Sequence, residues 1–339
     1  MHSGVAGARN RADGARTGLW VRRVVKVLLT GATGFVGQAL VRRLVGDVVS
    51  VVAAVRRAVQ IEGAQVVAVG DIGSQPDWHT ALSGVDCVVH LAARVHVMRE
   101  QVADPLLEFR RVNVGGTLAL ARQAAEAGVR RFIFVSSVKV NGEGTVPGRP
   151  FAADDVPAPV DPYGISKLEA EQGLLAVAAE TSMEVAIIRP VLVYGPGVKA
   201  NFRSMMTWLR KGVPLPLGAI HNQRSLCALD NLVDLIKTCL DHPAAAGQVF
   251  LVSDGEDLST PELLRRMGAA LDKPARLLPV PAVWLDGAAR LIGRKDVLPR
   301  LCGSLQVDID KTRQVLGWVP PVTLDEALRK TVRHFLTQA

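Results

Sequence analysis

A tyrosine and a lysine four positions apart are the two side chains best suited to chemistry in this chain. Tyr163 and Lys167 stand in the string DPYGISK, and on a helix this spacing places both side chains on one face. A phenol with a pKa of about 10 is a poor base at neutral pH, but a neighbouring ammonium group favours the phenolate and lowers that pKa. The pair could therefore exchange a proton with a substrate hydroxyl. The alternative is a buried tyrosine beside a lysine that reaches solvent.

Three glycines at regular spacing could hold a phosphate near the start of the chain. Gly31, Gly34 and Gly37 lie in the string LLTGATGFVG, directly after the apolar run VVKVLL. Glycines between a strand and a helix permit a tight turn and a close approach of backbone to pyrophosphate, which the helix N-terminus attracts. The string therefore predicts a dinucleotide-binding turn, although such a turn can also simply join two elements.

Short apolar runs alternate with helical patterns between residues 24 and 190. Strands are predicted at 24–30, 48–55, 65–71, 86–93, 131–137 and 184–190, and helices at 35–45, 104–128 and 163–181. This alternation predicts an α/β fold, a Rossmann-type doubly wound parallel sheet with both faces covered. We expect a dinucleotide-binding domain at 24–190 with about 226–255, where strand character returns at 248–255. The loop-rich remainder, 191–225 and 256–339, predicts a smaller C-terminal substrate lobe.

Composition and charge narrow the class of protein. Of 339 residues, 49% are hydrophobic and 21% charged, as in soluble globular proteins, and no apolar run reaches the roughly 18–20 residues of a membrane span. The four scattered cysteines predict reduced thiols in the cytoplasm and no metal site. Residues 1–23, with five Arg and one Asp, supply half of the net charge of +8. These residues predict a disordered basic tail, or sequence upstream of the true start. Because no basic run is interleaved with aromatic residues, we expect no nucleic-acid partner.

The glycine spacing, the Tyr-x-x-x-Lys pair and a strand ending in Ser136-Ser137 together resemble a known family. Over about residues 24–339 the chain resembles the extended short-chain dehydrogenases/reductases, the NAD-dependent epimerase/dehydratase family. The resemblance implies that Tyr163 is the acid/base, that Lys167 also holds the nicotinamide ribose, and that Ser137 polarises the reacting oxygen. It further implies a cofactor site made of Gly31, Gly34, Phe35, Val36, Gly37, Asp71, Ile72, Leu91, Ala92, Ala93, Asn113, Tyr163, Lys167 and Pro190.

The same resemblance implies that the partners are a nucleotide sugar and a second copy of the chain. Asn201, after the YGPG loop, and Arg224 would hold the UDP diphosphate, with Arg300 as a second candidate. A homodimer would form through the helices at 104–128 and 163–181. The apolar stretch 280–294, which has basic ends, predicts a core or dimer helix more than a helix on a membrane surface.

The end of the second predicted strand indicates which dinucleotide is used. The string AAVRR places Arg56 and Arg57 where family members that use NAD carry an acid for the ribose 2′-hydroxyl. An arginine there pairs with a 2′-phosphate, so we expect NADP(H), with NAD(H) as the alternative. A solvated turn would also explain these arginines.

The expected cofactor bears on the expected reaction, because a reductase consumes NADPH whereas a 4-epimerase keeps its NAD bound. We expect an NAD(P)-dependent oxidoreductase acting at C4 of a nucleotide-activated sugar, first a reductase of a UDP-4-keto-6-deoxy-(N-acetyl)hexosamine for surface polysaccharide synthesis. The alternative is a UDP-sugar 4-epimerase, against which Asn141 counts, because epimerases often carry tyrosine there. Dehydration ranks below both, since no Asp-Glu pair follows Ser137. A non-catalytic dinucleotide sensor is disfavoured, because such proteins usually lose the Tyr or the Lys.

Overall fold

A seven-stranded parallel sheet forms the centre of the computed structural model, which describes residues 25–47, 49–95, 104–281, 283–285 and 302–338. Its strands are β1 (Val25–Thr30), β2 (Val49–Val55), β3 (Ala64–Ala68), β4 (Cys87–His90), β5 (Arg131–Val135), β6 (Glu184–Pro190) and β9 (Gln248–Val252). They lie in the order β3-β2-β1-β4-β5-β6-β9, and every neighbouring pair is parallel. The strand order reverses between β1 and β4, which places a ligand crevice at the carboxyl ends of these strands.

Helices cover both faces of this sheet, as the alternating pattern predicts. The helices are α1 (Phe35–Val45), α2 (His79–Leu82), α3 (Pro105–Phe109), α4 (Thr117–Glu126), α5 (Pro162–Glu180), α6 (Ala200–Arg210), α7 (Leu229–Asp241), α8 (Thr260–Ala270), α9 (Asp310–Leu316) and α10 (Leu324–Thr337). Val27 and Leu29 of β1 belong to the apolar layer that contains α1 and α7, and Leu28 belongs to the layer that contains α4 and α5. Side chains alternate across a strand, so both faces are apolar and the α/β prediction is confirmed.

A third apolar cluster lies beyond the main sheet. The strands β7 (Leu192–Tyr194), β8 (Arg224–Ala228) and β10 (Asp257–Leu258) form a small sheet in the order β10-β8-β7. Side chains of α6, α8 and α10 pack together beside it, among them Phe202, Leu264 and Leu328. The domain boundaries drawn from the sequence stay a prediction. The basic tail and all but a few residues of the stretch 280–294 lie outside the described residues.

The helix predicted at 104–128 is interrupted by a wider turn. Between α3 and α4 the backbone is π-helical over Arg110–Gly116, a form that is often found at functional sites. A Cβ at Gly116 would lie 2.7 Å from the carbonyl oxygen of Ile72, so the glycine lets this segment pass close to the turn after β3. In the described part of the chain, no helix is both long and apolar enough to cross a membrane.

Candidate active site

The glycine turn between β1 and α1, here called the glycine cradle, is packed so closely that larger side chains would collide with backbone. Gly31 has a φ of +70°, and a Cβ there would lie 2.9 Å from the backbone nitrogen of Ala92. At Gly37 a Cβ would lie 2.1 Å from the carbonyl oxygen of Gly31, and at Gly34 it would lie 3.1 Å from the same oxygen. Helix α1 begins directly after Gly34 with Phe35 and Val36. The turn therefore exposes backbone and a helix N-terminus, and these fit a pyrophosphate.

A cavity of about 710 Å³ opens beside this turn, at the carboxyl ends of β2 and β3. It is lined by Thr33, Val55, Arg56, Arg57, Gly70 and Asp71. Its volume lies within the range that small-molecule sites occupy. Arg111 lies 2.9 Å from a carboxylate oxygen of Asp71, and this pair lowers the pKa of that carboxyl group. The next residue, Ile72, is buried. The structure thus brings the predicted residues Arg56, Arg57 and Asp71 to one cavity.

A chain of hydrogen bonds fixes the segment after β4, where Leu91, Ala92 and Ala93 are half-buried. The backbone nitrogen of Ala92 donates to the Thr30 hydroxyl at 3.2 Å. Thr30 Oγ1 lies 2.7 Å from His90 Nδ1, and the second ring nitrogen lies 3.0 Å from the Thr117 hydroxyl. Burial lowers the pKa of His90 to about 3, so the ring is neutral. We did not predict Thr30 and His90, although polar residues that end buried apolar strands are a usable signal.

Ser137 and Tyr163 meet at the carboxyl end of β5. Ser137 begins the single turn 138–140, and its hydroxyl accepts a hydrogen bond from the backbone nitrogen of Lys139 at 3.3 Å. Tyr163 lies in the first turn of α5, which Asp161 caps by accepting from the Gly164 nitrogen at 2.6 Å. Burial and, to a smaller extent, the Asp161 charge raise the pKa of the Tyr163 phenol, and an interaction with Ser137 lowers it, so that the pKa is about 12. The Ser137 side chain is therefore close enough to influence the Tyr163 phenol.

Lys167 is buried with its ammonium group against the end of β5, and its expected lowering of the Tyr163 pKa stays a prediction. It donates to the carbonyl oxygen of Val135 at 2.8 Å and lies 4.0 Å from the centre of the Phe134 ring. Burial lowers the pKa of Lys167 to about 7, and Glu171 counteracts this shift. The hydrogen bond to Val135 uses one of three N–H groups, so the ammonium group suits an additional acceptor such as a ribose hydroxyl.

Two further side chains test whether the site fits a nicotinamide dinucleotide. The hydroxyl of Ser136 is buried and has no hydrogen-bond partner in the described part of the chain. Such orphaned groups are rare in proteins and are often satisfied by a ligand. The Asn113 side-chain amide already has hydrogen-bond partners, because it bonds to the Arg94 backbone and to the Ser166 hydroxyl. It therefore positions the segment after β4, and Pro190 ends β6. The glycine cradle, Lys167 and Ser136 fit the cofactor.

The residues predicted for the substrate lie on the C-terminal elements. Asn201 is exposed near the start of α6, and Arg224 opens β8. Arg224 donates to the carbonyl oxygen of Gly303 at 2.9 Å, and burial lowers its pKa. The Arg224 guanidinium group therefore already uses one of its donors in a hydrogen bond within the protein. Arg300 lies outside the described residues.

Comparisons with known proteins agree with this arrangement. The model of the NAD dependent epimerase/dehydratase family matches residues 27–253. UDP-glucose 4-epimerase of Vibrio cholerae is 53% identical over 313 residues, which are 91% of this chain and 95% of that protein. N-acetyl-alpha-D-glucosaminyl-diphospho-ditrans,octacis-undecaprenol 4-epimerase of Escherichia coli O157:H7 is 30% identical over 330 residues, 92% of this chain and 96% of that protein. The structure of MoeE5 in complex with UDP-glucuronic acid and NAD has a TM-score of 0.72 at 26% identity, covering 93% of this chain and 100% of that one.

Proposed function

The chain belongs to the NAD-dependent epimerase/dehydratase family of extended short-chain dehydrogenases/reductases, and from that premise we propose that it is a UDP-sugar 4-epimerase. The observation that carries the proposal is the placement of Tyr163 and the buried Lys167 on α5, whose first turn packs against the turn of Ser137. Two relatives, 53% and 30% identical, are both named as 4-epimerases. Their names favour the epimerase alternative over the 4-ketoreductase that we ranked first from the sequence.

The proposed cofactor is NAD, and the expected preference for NADP(H) is not supported. MoeE5 is bound to NAD, and an epimerase needs no external reductant. Arg56 and Arg57 are exposed, and Arg56 is close enough to Asp71 to help lower the pKa of its carboxyl group. An ionised Asp71 in the same cavity offsets the charge of Arg56 and repels a 2′-phosphate. Arg56 and Arg57 therefore do not form a 2′-phosphate site, because the nearby charge of Asp71 counteracts theirs.

The proposed division of labour follows the two halves of the chain. Residues 24–190 with about 226–255 would bind the dinucleotide. Residues 191–225 and 256–339, with Asn201 and Arg224 among them, would hold the sugar nucleotide. An arginine suits a diphosphate because its planar fork meets phosphate oxygens in pairs.

The catalytic groups would act on the C4 hydroxyl of the sugar. Bound NAD supplies the acceptor for the C4 hydride and the donor that returns it. Tyr163 takes the proton of the C4 hydroxyl as the hydride leaves, and gives it back to the same oxygen when hydride returns to the opposite face. Ser137 donates its single hydroxyl hydrogen to the C4 oxygen and so stabilises the negative charge that develops there. Lys167 holds the ribose from its buried position.

The first experiment tests cofactor and reaction together. Purified protein is denatured to identify the released dinucleotide, and UDP-glucose and UDP-galactose are then offered without added cofactor. We expect one NAD per chain and interconversion of the two sugars by NMR. Oxidation of NADPH with a UDP-4-keto-6-deoxy sugar, with no interconversion of UDP-glucose or of UDP-N-acetylglucosamine, would restore the reductase.

Tyr163→Phe tests the acid/base role within that experiment. Phenylalanine keeps the ring, which packs edge-on against Phe109 at a centroid distance of 6.1 Å, and removes the hydroxyl. We expect the turnover rate to fall by about 100- to 10,000-fold while the NAD content stays the same. Near-normal turnover would show that Tyr163 is not the acid/base.

A further inference from the structure

Helix α5 carries a buried carboxylate in register with the catalytic pair. Tyr163, Lys167 and Glu171 are spaced four apart, so they share one helix face. Lys167 and Glu171 are both only 2% exposed. A buried carboxylate is costly unless it is paired and hydrogen-bonded. The hydrogen-bond partner of Glu171 therefore explains why a carboxylate is buried at this position.

Glu171 holds the guanidinium group of Arg189 on β6. Arg189 Nε donates to one carboxylate oxygen at 3.0 Å and Nη2 donates to the other at 2.6 Å. The remaining arm, Nη1, donates to the Asn141 side-chain oxygen at 3.1 Å. The Asn141 amide nitrogen in turn donates to the carbonyl oxygen of Ala152 at 3.0 Å. Since Arg189 is 4% exposed and Asn141 2% exposed, little solvent screens this chain of bonds.

The hydrogen bonds that start at Glu171 lead to the turn that carries Ser137. Ser137 begins the turn 138–140 and Asn141 ends it, with the Asn141 nitrogen bonded to the Val138 carbonyl oxygen at 2.9 Å. The turn packs closely on α5, because a Cβ at Gly164 would lie 2.8 Å from the Lys139 carbonyl oxygen. The buried bonds therefore connect the helix face of Tyr163 to the turn of Ser137.

A second connection between the same two elements lies at the surface. Lys139 Nζ contacts the Asp161 carboxylate at 2.6 Å, and the two side chains are 35% and 30% exposed. Ion pairs this exposed are screened by solvent and contribute little to stability. The Arg189–Glu171 pair, with both side chains at most 4% exposed, is the less screened of the two.

We propose that Glu171, Arg189 and Asn141 form a positioning bridge that holds the Ser137 hydroxyl at the Tyr163 phenol. None of the three touches substrate in this proposal, so they are positioning residues and act through Ser137. The proposal rests on the proposed function, in which both hydroxyls must meet one substrate oxygen. A displacement of about 1 Å at such a site can lower a rate about 100-fold.

Asn141→Ala tests the bridge at its least charged member. We expect turnover to fall by about 10- to 100-fold, with NAD content and the KM for UDP-glucose close to native values. Asn141→Asp keeps an acceptor for Arg189, so it should recover most of the lost rate. Equal losses in both variants would contradict the proposal.

Glu184→Gln is the matched control. Glu184 accepts from the buried Arg131 at 2.6 Å at the amino ends of β5 and β6, the opposite ends from the site. Its substitution should lower the thermal midpoint and leave turnover unchanged. If turnover falls in proportion to the thermal midpoint in both Glu184→Gln and Asn141→Ala, the bridge only stabilises the fold and the proposal is wrong.

A double-mutant cycle shows whether the bridge acts through Ser137. In a Ser137→Ala background, Asn141→Ala should cost little further turnover, because the hydroxyl that it positions is gone. Multiplication of the two losses would show independent roles and overturn the proposal.

A spectroscopic measurement separates this proposal from the proposed function. The chain has two tyrosines, so protein with ¹³C at the tyrosine Cζ gives two NMR signals, and Tyr194→Phe assigns them. Asn141→Ala should shift the Tyr163 signal in the same direction as Ser137→Ala does, and Glu184→Gln should not. An unmoved signal would refute the bridge even in an active epimerase, whereas a shifted signal in a protein without epimerase activity would leave the bridge intact.

Discussion

Lys167 carries its ammonium group into the apolar layer between β5 and α5. There it donates to the Val135 carbonyl oxygen and lies over the Phe134 ring. Burial disfavours the charged form, which lowers the pKa of Lys167 to about 7 and raises that of Tyr163 to about 12. At the scale of residues, burial therefore moves both pKa values away from those that the proton transfer needs. The interaction between Ser137 and Tyr163 is the contact that opposes this shift for the phenol.

Lys167→Met measures the cost of this buried charge. The folded-state pKa of about 7 is below the ordinary 10.5, so between these pH values the unfolded chain binds more protons than the native one. Native stability therefore gains from this residue as pH rises from 7 towards 10.5, and below pH 7 the charge is buried at full cost. Methionine cannot titrate, so the thermal midpoint of Lys167→Met relative to native protein should be highest at pH 6 and should decline by pH 10. A difference that does not depend on pH would contradict this assignment.

The element that binds the pyrophosphate in our proposal is the turn from β1 into α1. Gly31 is required by its φ of +70° and by distance, and Gly37 by distance, because Cβ atoms at both positions would enter neighbouring backbone. The first turn of α1 therefore lies directly against the strand end. This closeness presents the helix N-terminus to a ligand.

Gly37→Ala should disrupt that element. A Cβ at Gly37 would lie 2.1 Å from the Gly31 carbonyl oxygen, so α1 must move away from the turn. We expect the affinity for NAD to fall at least about tenfold, corresponding to roughly 1.4 kcal/mol of binding free energy, with less NAD per purified chain and a lower thermal midpoint.

Gly46→Ala is the control at the other end of α1. There a Cβ would meet its nearest atom at 3.7 Å, and φ is −72°. It should leave NAD content unchanged. Native NAD content in Gly37→Ala would show that the close packing is not required for the cofactor.

At the scale of the whole molecule, a half-buried carboxylate joins the main sheet to the C-terminal elements. Asp254, just after β9, accepts from the Ala228 nitrogen at 2.6 Å, the Asn231 amide at 2.7 Å and the Tyr194 hydroxyl at 2.9 Å. Asn231 and Tyr194 also bond backbone near the start of α10. Asp254 therefore lies where the small sheet, α7 and α10 meet.

Asp254→Asn and Asp254→Ala separate hydrogen bonding from charge. Burial raises the pKa of Asp254, so the native chain holds this proton more tightly than the unfolded chain, and stability falls as pH rises above the ordinary 3.8. Asparagine keeps an acceptor for two donors and can donate to the Tyr194 oxygen, so its thermal midpoint at pH 8 should equal or exceed that of native protein. Alanine leaves buried donors unpaired at about 1–3 kcal/mol each and should lower the midpoint by several degrees. A lower midpoint for asparagine than for alanine would contradict this account.

The sequence by itself determined the features that depend on neighbouring residues along the chain. Alternating apolar strands and helices identified the parallel sheet, because local periodicity reports which faces are buried. The spacing of Gly31, Gly34 and Gly37 and of Tyr163 and Lys167 predicted the cofactor turn and the catalytic pair of the proposed site. The tertiary structure decided the partners of these residues. Only packing showed that Lys167 faces the Val135 carbonyl and that Asp71 meets Arg111. The same holds for the chain from Glu171 to Asn141, whose members come from three elements. Such contacts depend on strand register and on how helices lie on the sheet, and no local pattern encodes either.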